Sequence, residues 1–101
     1  MANPLSYSAA LVLQALSQGH GYGFEIMRLT GLPSGTVYPL FRRLDASGLV
    51  ESKWEEEDEA HADRRPARRY YELTAEGVAA LEVARARIVQ QGRLFGSVAA
   101  S

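Results

Sequence analysis

The chain contains no cysteine. That absence excludes disulfides, thiolate metal sites and cysteine nucleophiles together, and it suits a reducing compartment. No apolar run approaches the ~18 residues that a membrane span requires. The opening Met1-Ala2-Asn3-Pro4 lacks the basic segment of a secretory signal, so the sequence predicts a cytoplasmic protein that does not touch a membrane. An excess of either charge is missing too: 11 Lys and Arg face 12 Asp and Glu, for a net −1. A polycation that coats nucleic acid indiscriminately is thereby excluded. A basic face is not, because a near-neutral sum can hide an uneven distribution. There is no glycine-rich phosphate cradle, no nucleophile beside a base, no repeat and no low-complexity segment. His20 and His61 have no partners at ligand spacing, and the acidic run lacks the Gly and Asp/Asn pattern of a calcium loop. The expectation is a protein with no metal, no cofactor and no enzymatic activity.

What is present is a chain of 101 residues, 47% hydrophobic, enough for one small core. Leu5 to Ser17 carries Leu5, Ala9, Val12, Leu13 and Leu16 at intervals of three and four, which predicts a helix. Gly19-His20-Gly21 interrupts it. Tyr22 to Leu29 reads as a short second helix with Phe24, Ile26, Met27 and Leu29 as apolar members, stopped at Gly31. Ser34 is placed to cap a third helix over 34–47, with Val37, Leu40, Phe41 and Leu44 on one face and Gly35, Arg42 and Ala46 on the other. Pro39 costs that helix one hydrogen bond, and Gly48 ends it.

Leu49 to Trp54 and Arg69 to Leu73 are rich in strand formers. About fourteen residues join them, long for a hairpin loop. The first arm of the loop, Glu55 to Glu59, is acidic. The second, with Arg64, Arg65, Arg68 and Arg69, is basic. Thr74 is positioned to cap a last helix, though Gly77 stands where a capping box would place Glu. Leu81, Ile88 and Phe95 recur every seven residues, with Ala84, Gln91 and Val98 between them, an a/d-like stripe with no evident partner in the chain. Gly92 and Gly96 predict fraying at its far end. The order helix, helix, helix, strand, strand, helix predicts a mainly α fold with a small β-hairpin: a winged helix-turn-helix over 1–73, followed by a C-terminal dimerisation helix over 74–101.

The third helix offers small residues, hydroxyls and two arginines on its polar side, as a DNA-reading helix would. The same pattern also suits an ordinary amphipathic helix whose charges are solvated. The arginines after Asp63 suit a phosphate backbone, or pairing with Glu55 to Glu59 across the hairpin. Tyr22 could donate its hydroxyl to a phosphate or pack, half-buried, against the turn.

Several strings then act together: Gly19-His20-Gly21-Tyr22-Gly23-Phe24-Glu25-Ile26, Ser34-Gly35-Thr36-Val37-Tyr38-Pro39-Leu40, Arg43-Leu44, Gly48-Leu49-Val50, and Arg68-Arg69-Tyr70-Tyr71-Glu72-Leu73-Thr74-Ala75-Glu76-Gly77. In this order, from about Leu5 to Leu81, they resemble the PadR family of bacterial transcriptional regulators. The resemblance implies a homodimeric repressor of palindromic operators. Its third helix would enter the major groove of double-stranded DNA, and its wing, over 54–69, would reach the minor groove or backbone. By position, Tyr22, Ser34, Gly35, Thr36, Tyr38, Pro39, Arg42 and Arg43 would face DNA, with Arg64, Arg65 and Arg68 at the wing. The dimer would form through the first and last helices, with Leu5, Val12, Leu81, Ala84, Ile88, Gln91 and Phe95 at its interface. Some members take a small aromatic or apolar effector near that interface, and no residue here identifies one. The link from Glu25 to Ser34 is shorter than is common in the family, which implies a clipped second helix. Two other classes stay open: a winged helix that binds protein through the same surface, and a ligand-sensing regulator with its effector site between subunits.

Overall fold

A computed structural model describes residues 5–56, 62, 64 and 66–100, with side chains described through residue 96. Met1 to Pro4, most of the acidic run (Glu57, Asp58, Glu59), His61, Arg65 and the side chain of Val98 lie outside the described residues. The elements run α1 (Tyr7–Ser17), α2 (Gly23–Thr30), α3 (Ser34–Ala46), β1 (Val50–Trp54), β2 (Arg69–Leu73) and α4 (Ala75–Ala100). The two strands pair antiparallel from Val50 opposite Leu73 to Trp54 opposite Arg69. An isolated bridge from Tyr22 to Tyr70 adds a short third edge, and the Tyr71 N–H donates to the Gly21 carbonyl at 2.9 Å.

Local chemistry explains most boundaries. Ser6 caps α1, its hydroxyl accepting the Ala9 N–H at 3.1 Å. Gly31 and Gly48 end α2 and α3 at φ +75° and +76°, in the left-handed region that glycine enters without a Cβ clash. Thr74 Oγ1 accepts the Gly77 N–H at 3.0 Å and donates to the Gly48 carbonyl at 2.6 Å, so one hydroxyl caps α4 and ties it to the end of α3. Gly77 replaces the expected capping glutamate for a steric reason: a Cβ there would overlap the Leu49 carbonyl oxygen.

Two expectations about helix ends require correction. Ser34 is not the cap of α3. Pro33, extended at ψ 162°, takes that place, and its carbonyl accepts the Thr36 and Val37 N–H groups at 2.9 and 3.0 Å. Ser34 therefore sits in the first helical turn, with its side chain exposed. Phe24 and Leu29 are exposed, and only Ile26 of the apolar set on α2 is fully buried. The end of α4 is helical through Gly92 and Gly96.

The core joins α1, α2, α3, β1 and the first turns of α4 around Val12, Leu13, Ile26, Val37, Phe41 and Val50. Phe41 stacks on Tyr71 with ring centroids 3.9 Å apart, which fixes α3 against the hairpin. Removing the Phe41 ring would cost about 3–5 kcal/mol. Val12, Leu81 and Ala84 belong to this packing at 0%, 2% and 1% exposure. They were expected at the dimer interface, but α1 and the first half of α4 cover one another. Arg85 reinforces that contact, Nε donating to Gln14 Oε1 at 2.8 Å.

Candidate nucleic-acid interface

The α3 residues that face the core are Val37, Leu40, Phe41 and Leu44. At 100° per residue the opposite side is the row Gly35, Pro39, Arg42 and Ala46. Gly35, Arg42 and Ala46 are exposed and Pro39 is half-buried. The row is flat, small and apolar except for one guanidinium. Pro39 leaves the Gly35 carbonyl without its helical donor, and the exposed position leaves that carbonyl open to water. A Cβ at Gly35 would meet no atom within 4 Å, and Gly35 has no left-handed φ. The fold itself therefore does not require glycine at this position, although glycine in a helix costs about 0.5–1 kcal/mol relative to alanine.

Tyr38 and Arg43 flank the row on opposite sides. Tyr38 lies against Gly23, where a Cβ would come within 2.7 Å of the phenolic oxygen. It lines a groove of about 420 Å³ between α2, α3 and β2, whose other walls include Tyr22, Phe24, Arg42, Arg68 and Arg69. Arg43 instead borders a separate cleft beside Leu5, Ser6 and Ser47. The structure thus brings Tyr22, Tyr38, Arg42 and Arg68 together, and it places Arg43 apart from them. Thr36 is half-buried in the first turn. Among the described residues, neither Arg42 nor Arg43 pairs with a carboxylate.

The wing root is held differently. Glu55, with its side chain 3% exposed, lies 3.7 Å from the Arg68 guanidinium. Its Oε2 accepts the Tyr22 hydroxyl at 3.0 Å and its Oε1 accepts the Arg68 backbone N–H at 3.3 Å. The Arg68 guanidinium also lies 4.5 Å above the Tyr22 ring and 4.8 Å above Phe24, which stack on each other. Arg69 donates to Ser52 Oγ at 2.7 Å and covers Trp54 and Tyr71. Nearby, Lys53 bridges Glu72 at 2.8 Å and Glu51 at 3.4 Å. The hydrogen bond to Glu72 raises its pKa above 10.5. Arg64 is exposed with φ 55°, in the wing tip.

Sequence reasoning placed Arg69 among the basic residues of the wing and offered Glu55 to Glu59 as their partners, but it did not single out Phe24 or Glu55 as members of this cluster. Phe24 sits inside the Gly21-Tyr22-Gly23-Phe24 string and could have been found there. Nothing local separates Glu55 from the acidic residues after it. His20 belongs to the turn, its Nδ1 3.4 Å from Glu25 Oε2. Glu25 Oε1 also accepts the Tyr22 N–H at 3.3 Å, which closes the start of α2.

A second surface lies at the far side. Tyr7, Leu11, Ile88 and Val89 line an apolar groove of about 250 Å³ between α1 and α4. Beyond it Leu94 and Phe95 stand exposed, Phe95 at 74%. Leu5 and Ile88 are half-buried and Gln91 is exposed. Among the described residues no cluster of His, Cys, Asp and Glu could hold a metal ion, and no helix is long and apolar enough to cross a membrane.

The profile of the Transcriptional regulator PadR-like family matches residues 12–83. No curated protein matches. Solved structures do. A PadR family transcription regulator from Clostridium difficile R20291 superposes with a TM-score of 0.72 at 28% identity, over 92% of this chain and 94% of that one. A PadR-like regulator from Bacillus cereus ATCC 14579 gives 0.75 at 22% identity, over 92% and 91%. The PcaV transcriptional regulator from Streptomyces coelicolor, solved with its natural ligand, gives 0.77 at 21%, over 93% of this chain and 62% of that one. The last two similarities concern the fold alone.

Proposed function

The chain belongs to the PadR-like family of transcriptional regulators, DNA-binding proteins rather than enzymes, and from that premise we propose that it is a cytoplasmic homodimeric repressor of palindromic operators. The outer row of α3 enters the major groove. Gly35 and Pro39 let the helix approach the groove floor, Arg42 reads a base edge, and Ser34, Thr36 and Tyr38 contact the adjoining backbone. Arg43 stands on the other flank and suits a phosphate. Arg64 and Arg65 carry the wing tip along the DNA, and Arg68 lies at its root. Residues 1–73 read the DNA and 74–101 make the dimer, as two roles of one compact unit, since the first turns of α4 share the core.

The observation that carries this reading is Gly35. Its glycine is dispensable to the fold yet lies in the one row of α3 that faces outward beside an unpaired arginine. An external surface that approaches closely accounts for both features. A solvated amphipathic helix accounts for the arginine but leaves the glycine without a reason.

The dimer rests on half-buried Ile88 with Val89, Leu94 and Phe95, apolar residues that α1 does not cover fully. Two copies would present two α3 helices to half-sites about one DNA turn apart. The apolar groove between α1 and α4 is below the roughly 300–1,000 Å³ of drug-sized ligand pockets. It better fits side chains from a second copy than an effector. Gel-shift titration against promoter fragments at several salt concentrations tests the proposal. Binding should weaken steeply with salt, with a log–log slope near −0.9 per phosphate neutralised. Salt-insensitive binding, or binding to protein partners alone, would favour a protein-interaction module.

A further inference from the structure

We infer that Glu55 is a positioning residue for DNA recognition, which sets Arg68 at the wing root by holding it over Tyr22 and Phe24. Glu55 is almost wholly buried although Trp54 before it and Glu56 after it are exposed. A buried carboxylate persists only when its oxygens are satisfied. Here the Arg68 N–H, the Tyr22 hydroxyl and the Arg68 guanidinium converge on it. Glu55 also donates its own N–H to the Arg68 carbonyl at 2.8 Å, so backbone and side chain lock the same pair of residues across the loop. The guanidinium lies over two aromatic rings, and the carboxylate draws it toward the same place. Arg68 Nε is buried with no hydrogen-bond partner among the described residues. A guanidinium free to choose would not leave a donor buried in this way, so its pose is imposed by its surroundings. What remains of Arg68, at 38% side-chain exposure, opens on the groove shared with Arg42 of α3. Through Glu55 the wing root is held to Tyr22 at the start of α2. Tyr22 then acts through Glu55, its hydroxyl committed to the carboxylate rather than to a phosphate.

This inference rests on the reading that Arg68 meets DNA, and its sign is opposite to simple electrostatics. Removing a negative charge beside a DNA-binding groove should strengthen binding if the charge merely repels phosphates. If Glu55 positions Arg68, Glu55→Gln should weaken operator binding by about tenfold, within the range of coupled neighbours, and should reduce the salt slope by about one. The experiment is a double-mutant cycle by gel shift with wild type, Glu55→Gln, Arg68→Ala and the pair, each checked for folding by its melting curve. Arg68→Ala should weaken binding, and adding Glu55→Gln to it should produce little further loss. If Glu55→Gln does not fold, Glu55→Asp, which keeps the charge but cannot reach both partners, takes its place in the cycle. Unchanged binding by Arg68→Ala overturns both the reading and the inference. Weakened binding by Arg68→Ala beside unchanged or tighter binding by the Glu55 variant, or equal losses from the Glu55 change in both backgrounds, overturns the inference alone. A purely structural role would lower the melting temperature and leave the salt slope of the folded protein unmoved.

Discussion

The outward faces of α3 and of the second half of α4 are both exposed, yet they are built from opposite materials. On α3 the outer row is Gly35, Pro39, Arg42 and Ala46, small and nearly flat with one cation. On α4 it includes Val89, Leu94 and Phe95, bulky and apolar. A polyanion with a grooved surface suits the first, and another apolar surface suits the second. The contrast shows that exposure alone says little about a surface. What distinguishes these two is whether a close approach would bury charge against phosphate or hydrocarbon against hydrocarbon.

Changes on the α4 side should have the largest effect. Val89→Glu with Phe95→Glu should convert a dimer to a monomer in analytical ultracentrifugation. Operator affinity should fall by about 100-fold or more, the scale by which linked sites exceed a single one. Dimers that survive both charges would place the interface elsewhere. Next comes Arg42→Ala on α3, with an expected loss of about 1–3 kcal/mol in operator binding measured by gel shift, and no change in oligomeric state. Gly35→Ala sharpens the contrast further, because stability and function should move apart. The melting temperature should rise, for a gain of about 0.5–1 kcal/mol, while operator binding weakens. A variant that is more stable and binds as well as wild type would remove the close approach from the account. The smallest effect belongs to Lys53→Ala on the hairpin. The raised pKa of Lys53 means that its ion pairs contribute fully below 10.5 and fade as pH rises through the folded-state value. Melting curves of wild type and variant should differ slightly at neutral pH and converge in strong alkali.

The features legible in the sequence were those with short-range causes. The strand Arg69–Leu73, the stop at Gly48 and the cap at Thr74 each depend on a few adjacent residues, and all three stand where the sequence placed them. The seven-residue stripe on the last helix was visible too, but periodicity says which side is apolar and not which surface covers it. Leu81 and Ala84 fall under α1 of the same chain, whereas Phe95 lies beyond its reach. Val12, which the family resemblance implied at the dimer interface, lies in the core. In the candidate site, the four-residue spacing of α3 displayed Gly35, Arg42 and Ala46. The division between Arg42 and Arg43 depends on what flanks the helix, a groove with the wing on one side and a cleft with α1 on the other. Pairing between the wing arginines and Glu55 to Glu59 was legible, but the burial of Glu55 was not, since Tyr22, distant in sequence, helps to enclose it.

The central claim is that the outer row of α3 reads a two-fold DNA site for a dimer. Footprinting on the DNA flanking the protein's own gene, with wild type and Arg42→Ala compared side by side, tests it most directly. The account predicts one protected site with two symmetric halves about one helical turn apart, lost in the variant while its dimer persists. No sequence-specific protection, or a footprint that Arg42→Ala leaves intact, would contradict it.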